Sequence, residues 1–258
     1  MISKGVIKYI RSLELKKFRN EHRVFLAEGD KLVAGMLGSF ACEMIVATPS
    51  WMANQGDIPV RELIEADEED IRRASLLKNP QHVLAVFECP DYALSEADPS
   101  AGLILALDGV QDPGNVGTII RLAAWFGIEH VVCSPDTADA FAPKTVQATM
   151  GALAHVKVHY TPLESYLKGL EAPLYGTFMD GENIYAGELS PTGVIVMGNE
   201  GSGIREETAS LITQRLTIPG YTKGSAASES LNVAIATAIV CSEFRRREEG
   251  AALPLVPR

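Results

Sequence analysis

The stretch "LILALDGVQDPGNVGTIIRLAAWFG" at residues 103–127 contains an apolar run, a turn and an amphipathic helix, in that order. The run LILALDGV is nearly all apolar, which is typical of a strand covered on both faces of a parallel sheet. Apolar residues then recur at i, i+3, i+4 and i+7, which predicts a helix core face of Ile119, Leu122, Ala123 and Phe126. Arg121 lies about 200° around the helix from Ile119 and is expected to point away from the core. This order of elements predicts an α/β fold.

The same alternation continues from residue 101 to about residue 250. Strands are predicted at LILALDGV, HVVCS, VKVHY, PLYGTFM, GVIVMGN and RLTIP, and helices at TIIRLAAWFG, KTVQATMGAL, LESYLKGL and ESLNVAIATAIVCSEFRRR. Residues 1–95 form a separate series of short helices and strands, and the polar segment PDYALSEADPSAG reads as a linker. We therefore predict two α/β domains, at 1–95 and 101–250. The tail at 251–258 ends in LVPR, which is typical of a protease-cleavable tag.

Composition favours a globular protein without a membrane segment. The hydrophobic fraction is 47% and the charged fraction 22%, and no apolar run approaches the roughly 20 residues that span a bilayer. The start lacks a signal-peptide pattern, so a cytoplasmic location is expected. Cys133 and Cys241 lie in apolar elements without a C-x-x-C pair and are predicted to be buried reduced thiols. The five histidines lack metal-ligand spacing, so no metal is predicted.

The distribution of charge is more informative than the net charge of −10. Residues 1–31 hold eight Lys and Arg against four acids. This local excess fits either RNA contact or an amphipathic surface helix, and charge alone does not choose between them. The acidic run ELIEADEED at residues 62–70 is predicted to be a solvated turn or the start of a helix.

A second cluster, "IVMGNEGSGIREE" at residues 195–207, has the strand, glycine loop and helix of a phosphate-binding site. Its pattern is G-x-E-G-x-G, which is neither the dinucleotide fingerprint nor a P-loop. The carboxylate of Glu200 would compete with a phosphate for the amide donors. The loop therefore fits a cofactor that has a positive centre, or one held closely by backbone groups.

A third cluster lies at residues 216–240, where Ile218 and Pro219 end a strand and polar residues crowd a helix start. The polar residues are Ser228, Ser230 and Asn232, more than one cap requires. The helix has a packing face of Val233, Ala236, Val240 and Phe244. These residues fit either a well-capped core helix or a ligand site. Likewise, Asn115 and Arg121 of the first cluster could be a helix cap and a surface arginine.

Taken together and in this order, the clusters resemble the three motifs of the SpoU (TrmH-like) branch of the SPOUT RNA methyltransferases. The first matches N-x-G-x-I-x-R-x-A, from Asn115 to Ala123. The second is G-x-E-G-x-G, from Gly198 to Gly203, and the third is I-P followed by S-L-N-V. The stretch RVFLAEGDKLVAGML resembles the RNA substrate-binding domain that precedes the catalytic domain in ribosomal-RNA members, which has a ribosomal-protein-like fold.

The resemblance implies a parallel-sheet domain with a deep trefoil knot, a homodimer, and S-adenosylmethionine as the methyl donor to a ribose 2′-hydroxyl of RNA. The implied catalytic set is Asn115, Arg121, Glu200, Ser230 and Asn232. The implied cofactor pocket consists of Thr177, Gly198, Asn199, Glu200, Gly201, Ile218, Pro219, Ser230 and Leu231. The separate N-terminal domain favours ribosomal RNA, 23S in particular, over transfer RNA. A non-catalytic RNA-binding factor is the alternative from another class, followed by a nucleotide-dependent dehydrogenase.

Overall fold

The computed structural model describes residues 2–221 and 230–248. The first 91 residues form α1 (Lys4–Ser12), α2 (Lys16–His22), β1 (Val24–Glu28), α3 (Asp30–Met36), β2 (Cys42–Ala47), α4 (Pro49–Ala53), β3 (Val60–Glu65), α5 (Glu68–Ala74) and β4 (Val83–Glu88). The remainder forms β5 (Leu103–Asp108), α6 (Pro113–Trp125), β6 (His130–Cys133), α7 (Pro143–Thr149), β7 (Lys157–Tyr160), α8 (Leu163–Leu167), β8 (Leu174–Asn183), β9 (Gly193–Gly198), α9 (Glu206–Ala209), β10 (Gln214–Thr217) and α10 (Val233–Glu248). The chain divides into two compact units.

The first unit is built on a four-stranded sheet in the order β1-β4-β2-β3. Strand β4 is antiparallel to both of its neighbours, whereas β2 and β3 are parallel. An apolar stripe along α1 packs on this sheet: Ile10 and Leu13 are fully buried, and Val6 packs against the same cluster. The acidic run at 62–70 is part strand and part helix, because its first half pairs with β2 and Asp67 caps α5.

Residues 138–155 belong to the first unit, although the sequence analysis assigns them to the domain at 101–250. Asp139 accepts a hydrogen bond from Nη2 of the buried Arg19 at 2.6 Å. The ring of Phe141 lies 5.1 Å from that of Phe25 on β1, and α7 packs against the same strand. A buried ion pair and aromatic contact thus hold this segment on the four-stranded sheet.

The second unit contains a six-stranded sheet in the order β10-β8-β9-β5-β6-β7, and every neighbouring pair is parallel. The apolar strand predicted at LILALDGV is β5, and all six of its residues are buried. From β5 the chain runs outward through β6 and β7, then returns to place β9 on the other side of β5. The carboxyl ends of β5 and β9 therefore form the switch point at which open α/β sheets bind ligands.

Helices α6 and α10 pack side by side and run in the same direction. Asn232 Nδ2 donates to Asn115 Oδ1 where the helices begin, and Arg245 Nε donates to the carbonyl of Phe126 where α6 ends. The predicted core face of α6 is confirmed at Ile119 and Ala123, whereas Leu122 and Phe126 are only half-buried. Val116 and Ile120 are buried as well, because α6 packs against both its sheet and α10.

Cys133 and Cys241 are buried free thiols, as predicted. Within residues 2–221 and 230–248, no group of three or more His, Cys, Asp or Glu is placed to hold a metal ion. In those ranges no helix is both long enough and apolar enough to span a bilayer.

Candidate functional site

Three of the predicted catalytic residues lie at the carboxyl edge of the six-stranded sheet, at the switch point between β5 and β9. Asn115 is in the first turn of α6, which follows β5. Glu200 is in the loop after β9, and Asn232 immediately precedes α10. Because loops that follow parallel strands open at one edge of a sheet, residues distant in sequence converge here.

These three side chains form a directed chain of hydrogen bonds. Asn232 Oδ1 accepts from the backbone N–H groups of Ala234 at 3.0 Å and Ile235 at 3.3 Å, so Asn232 caps α10. Its Nδ2 then donates to Asn115 Oδ1 at 3.1 Å. Asn115 Nδ2 in turn donates to Glu200 Oε1 at 2.8 Å. The helix cap therefore determines the orientation of both amides, and Glu200 is the acceptor that ends the chain.

The cap of α6 is Asp112. Its Oδ1 accepts from the backbone N–H of Asn115 at 2.8 Å. The alternative interpretation of Asn115 as a helix cap is therefore wrong. Because Asp112 satisfies the first turn of the helix, the amide of Asn115 is available to join the chain to Glu200.

Arg121 has an exposed side chain on α6, as its helical position predicts. It makes no hydrogen bond or ion pair with another residue in the described part of the chain. Glu200 thus contacts Asn115 rather than Arg121 in this structure. Ser230 and Leu231, just before α10, are exposed too. The guanidinium of Arg121 faces solvent and is not needed to hold the fold.

The glycine loop is organised by its own backbone and by Asn199. The backbone groups of Asn199 and Gly203 pair in both directions, at 2.9 and 3.0 Å. Asn199 Oδ1 accepts from the backbone of Gly201 at 2.9 Å, and its Nδ2 donates to the carbonyl of Gly109 at 2.7 Å. A Cβ on Gly198 would lie 2.3 Å from the carbonyl carbon of Gly203. The glycine at 198 is therefore required by the loop itself, whatever the loop binds.

We expect Gly198→Ala to lower the free energy of unfolding by about 1–3 kcal/mol, because an added methyl displaces backbone that cannot move freely. Gly201→Ala is the matched control: its Cβ would meet only the Asn199 side chain, at 3.5 Å, and the change should stay within about 0.5 kcal/mol. Urea denaturation of both variants measures the difference. Equal stabilities would show that the tight return of the loop is not a constraint.

The remaining predicted pocket residues lie on β8 and just after β10. Thr177 lies on β8, and its Oγ1 is 3.9 Å from Sδ of the buried Met197, the residue before Gly198. Ile218 and Pro219 follow β10 and are half-buried. The prediction of a polar helix start includes Ser228, which falls in the segment 222–229, outside the described residues.

Two charged residues at this edge were not singled out in the sequence analysis. Asp108 ends β5 and is fully buried, and it pairs with Arg205, which follows the glycine loop. Arg205 also donates to Asp136 at 3.2 Å. The hydrogen bond from Ser134, together with the charge of Arg205, lowers the pKa of Asp136. The hydrogen bonds to Asp108 raise the pKa of Arg205. The sequence signal that could have identified Asp108 is an acidic residue at the end of an otherwise apolar strand.

Two regions of this chain match described protein families. Residues 102–242 match the family described as SpoU rRNA Methylase, and residues 4–85 match the MRM3-like substrate binding domain. The first match spans more than half of the 258 residues. The chain belongs to the SpoU rRNA methylase family. The family that the three motifs resemble is thereby confirmed.

Individual relatives match this SpoU family member along nearly its whole length. It is 32% identical over 246 residues to the 23S rRNA (guanosine(2553)-2′-O)-methyltransferase RlmP of Bacillus subtilis, covering 93% of this chain and 95% of that protein. A structure of a TrmH-family protein from Porphyromonas gingivalis is 44% identical with a TM-score of 0.87, covering 96% and 99%. An AdoMet-bound rRNA methyltransferase from Sinorhizobium meliloti is 30% identical with a TM-score of 0.81, covering 96% of each chain.

Proposed function

We propose that this SpoU family member transfers the methyl group of S-adenosylmethionine to a ribose 2′-hydroxyl of ribosomal RNA. The observation that carries the proposal is the hydrogen-bond chain from Asn232 through Asn115 to Glu200. It joins one residue from each of the three motifs at the switch point of the sheet. The likeness to a 23S rRNA 2′-O-methyltransferase over nearly the full length of both chains supports the substrate class.

The residues at this edge suit S-adenosylmethionine, which supplies an already activated methyl group. The carboxylate of Glu200 favours a positively charged sulfonium over a phosphate. The half-buried Ile218 and Pro219, and the 49%-exposed Leu231, offer apolar contact area. In this proposal Thr177, Gly198, Asn199, Gly201 and Ser230 complete the pocket. The loop at 198–203 provides close backbone approach.

The chemistry requires alignment and a proton acceptor more than a strong acid. A ribose hydroxyl is a poor nucleophile and must lose its proton as it attacks the methyl group. A guanidinium has a pKa above about 12 and is a poor base on its own. In the proposed mechanism Arg121 binds an RNA phosphate bidentately and lies against the 2′-hydroxyl, and the hydroxyl proton is released to solvent as the methyl group is transferred. Asn115, Ser230 and Asn232 supply neutral hydrogen bonds that orient the arginine and the ribose.

RNA recognition is assigned to the N-terminal region, with residues 1–95 as the substrate-binding domain and 101–250 as the catalytic domain. Part of the basic charge of that region is structural: Arg19 is buried on Asp139, and Arg11 donates to the carbonyl of Ser75. The lysines at positions 4, 8, 16 and 17 remain exposed on α1 and α2. They are the proposed phosphate contacts. The presence of this domain favours ribosomal over transfer RNA, in the cytoplasm where ribosomes assemble.

A homodimer is part of the same proposal. Trp125 on α6 is 83% exposed and Ile235 on α10 is 54% exposed. These helices pack side by side, so large apolar groups are left uncovered on neighbouring elements. A second copy of the chain would bury them by a two-fold contact. The trefoil knot implied by the motifs also remains a proposal, because the connection into α10 runs through residues 222–229, outside the described ranges.

Calorimetric titration with S-adenosylmethionine tests the cofactor, and a dissociation constant of about 1 μM to 1 mM is expected. Absence of binding up to millimolar concentration would contradict the enzyme proposal. RNA from cells that lack the gene is then incubated with the protein and labelled cofactor, both as naked RNA and as ribosomal particles. Label at a 2′-oxygen of 23S RNA is expected. Label in transfer RNA would identify the alternative substrate, and cofactor binding without any label would indicate a non-catalytic factor.

A further inference from the structure

The ion pair between Asp108 and Arg205 joins a fully buried carboxylate to a residue 97 positions away in the sequence. Asp108 has no exposed surface and lies at the carboxyl end of β5. Its two oxygens accept three hydrogen bonds from Arg205: from the backbone N–H at 2.9 Å, from Nε at 2.7 Å, and from Nη2. Side chain and backbone of one residue thus bind both oxygens of a buried carboxylate, which fixes position and orientation together.

The other end of the glycine loop is bound to the neighbouring residue. Asn199 Nδ2 donates to the carbonyl of Gly109 at 2.7 Å. The N–H of Gly109 donates to Ser134 Oγ at 2.9 Å, and that hydroxyl donates to Asp136 at 2.7 Å. The loop that carries Glu200 is therefore attached at its start to Gly109 and at its end to Asp108.

We propose that Arg205, through Asp108, is a positioning residue that holds the loop at 199–205 so that Glu200 meets the amide of Asn115. This inference rests on the proposed methyltransferase function. Residues 108 and 109 lead directly into the turn that begins α6, where Asn115 lies. The positions of both Asn115 and Glu200 are thereby fixed relative to the same place, the end of β5. Without the pair, Glu200 would lie on a loop attached only at its start.

The geometry assigns this role to Arg205 rather than a purely stabilising one. A buried carboxylate must be paired, but a single cation would satisfy that need. Here the backbone N–H of the loop is used as well, so the pair constrains the path of the main chain. The second partner, Asp136, braces the guanidinium from the β6 side and is itself held by Ser134.

The proposal is tested with Arg205→Met in the full-length protein, alone and combined with Glu200→Gln. Arg205→Met should lower kcat by about 10- to 100-fold with a smaller change in KM for RNA. In the Glu200→Gln background the same change should lower kcat by less than about threefold, because its effect passes through Glu200. Equal effects in the two backgrounds would overturn the proposal.

Lys157→Met is the matched control, since it removes an exposed ion pair with Glu96 at the amino end of β7. Its kcat should stay within about twofold of the wild type. If Arg205→Met does not fold, Arg205→Lys enters the same cycle: it keeps the charge and the backbone donor and should give a smaller, still coupled loss.

Hydrogen exchange gives a readout that does not depend on activity. The backbone amides of Asn199 and Gly203 should exchange at least about tenfold faster in Arg205→Met and unchanged in Lys157→Met. Unchanged exchange of both amides in Arg205→Met would overturn the proposal. If the wild type binds no S-adenosylmethionine, the proposed function fails. The exchange measurement still decides whether Arg205 holds the loop.

Discussion

Arg121→Lys should lower the single-turnover methylation rate by about 10²- to 10³-fold, on the scale of losing one transition-state contact. The dissociation constant for S-adenosylmethionine should change by less than about twofold. The side chain is exposed and forms no bond with the rest of the described chain, so the substitution costs the fold little. A lysine keeps the charge but cannot bind a phosphate bidentately. Rapid-quench kinetics measure the methylation rate, calorimetry measures the dissociation constant, and thermal denaturation measures the stability.

Arg72→Lys is the control for this experiment. Arg72 is an exposed arginine on α5 whose ion pair is to Glu69, one turn away, and its replacement should leave the rate within about twofold. If Arg121→Lys keeps full activity with an unchanged pH dependence, neither a bidentate phosphate contact nor an arginine base can be correct.

Asn232→Asp should lower the methylation rate by about 10²-fold while leaving the melting temperature nearly unchanged, since Asp caps helices about as well as Asn. The substituted carboxylate can still accept from the N–H groups of Ala234 and Ile235. It has no donor for Asn115 Oδ1, however, so the chain to Glu200 must break or reverse. Activity and thermal denaturation together separate this effect from a loss of stability.

A double variant tests the direction of the chain. In Asn232→Asp, the amide of Asn115 can turn over to donate to position 232, which leaves two acceptors facing each other at Glu200. Adding Glu200→Gln supplies the missing donor, so the double variant should be about tenfold more active than the product of the two single effects predicts.

Asn183→Asp is the matched control, because Asn183 Oδ1 only accepts, from the backbone of Tyr185 at 2.9 Å. Strictly multiplicative effects of Asn232→Asp and Glu200→Gln would contradict the directed chain.

Periodicity predicted the central strands β5 and β9 of the six-stranded sheet because nearly all of their residues are buried. All residues of β5 are buried, and Ile119 and Ala123 lie on the predicted face of α6. For the acidic run at 62–70 the prediction was confirmed only in the second half, where Asp67 caps α5. ELIEADEED was expected to be a turn or a helix start, but its first half pairs with β2. An edge strand needs only one apolar face and a partner, so it can carry several acids.

The sequence predicted which residues form the candidate site, but not the hydrogen bonds between them. The three motifs identified Asn115, Glu200 and Asn232, but the carboxylate of Glu200 pointed only to a cofactor with a positive centre and not to a protein partner. The structure shows it accepting from Asn115. Asp108 and Arg205 were missed because a single acid after a strand and a single arginine after a loop are common. Their significance lies in a pairing across 97 residues.

The sequence alone was sufficient to predict the alternation of apolar strands with helices and the outward orientation of Arg121. Its three ordered motifs were sufficient to indicate the family. Those properties depend on residues within one or two turns of each other. The tertiary structure decided that Asn115 contacts Glu200, 85 residues away, and Asn232, 117 residues away. It also decided that residues 138–155 pack with the N-terminal unit. Such contacts depend on the order of strands in the sheet, and hydrophobic periodicity carries no information about that order.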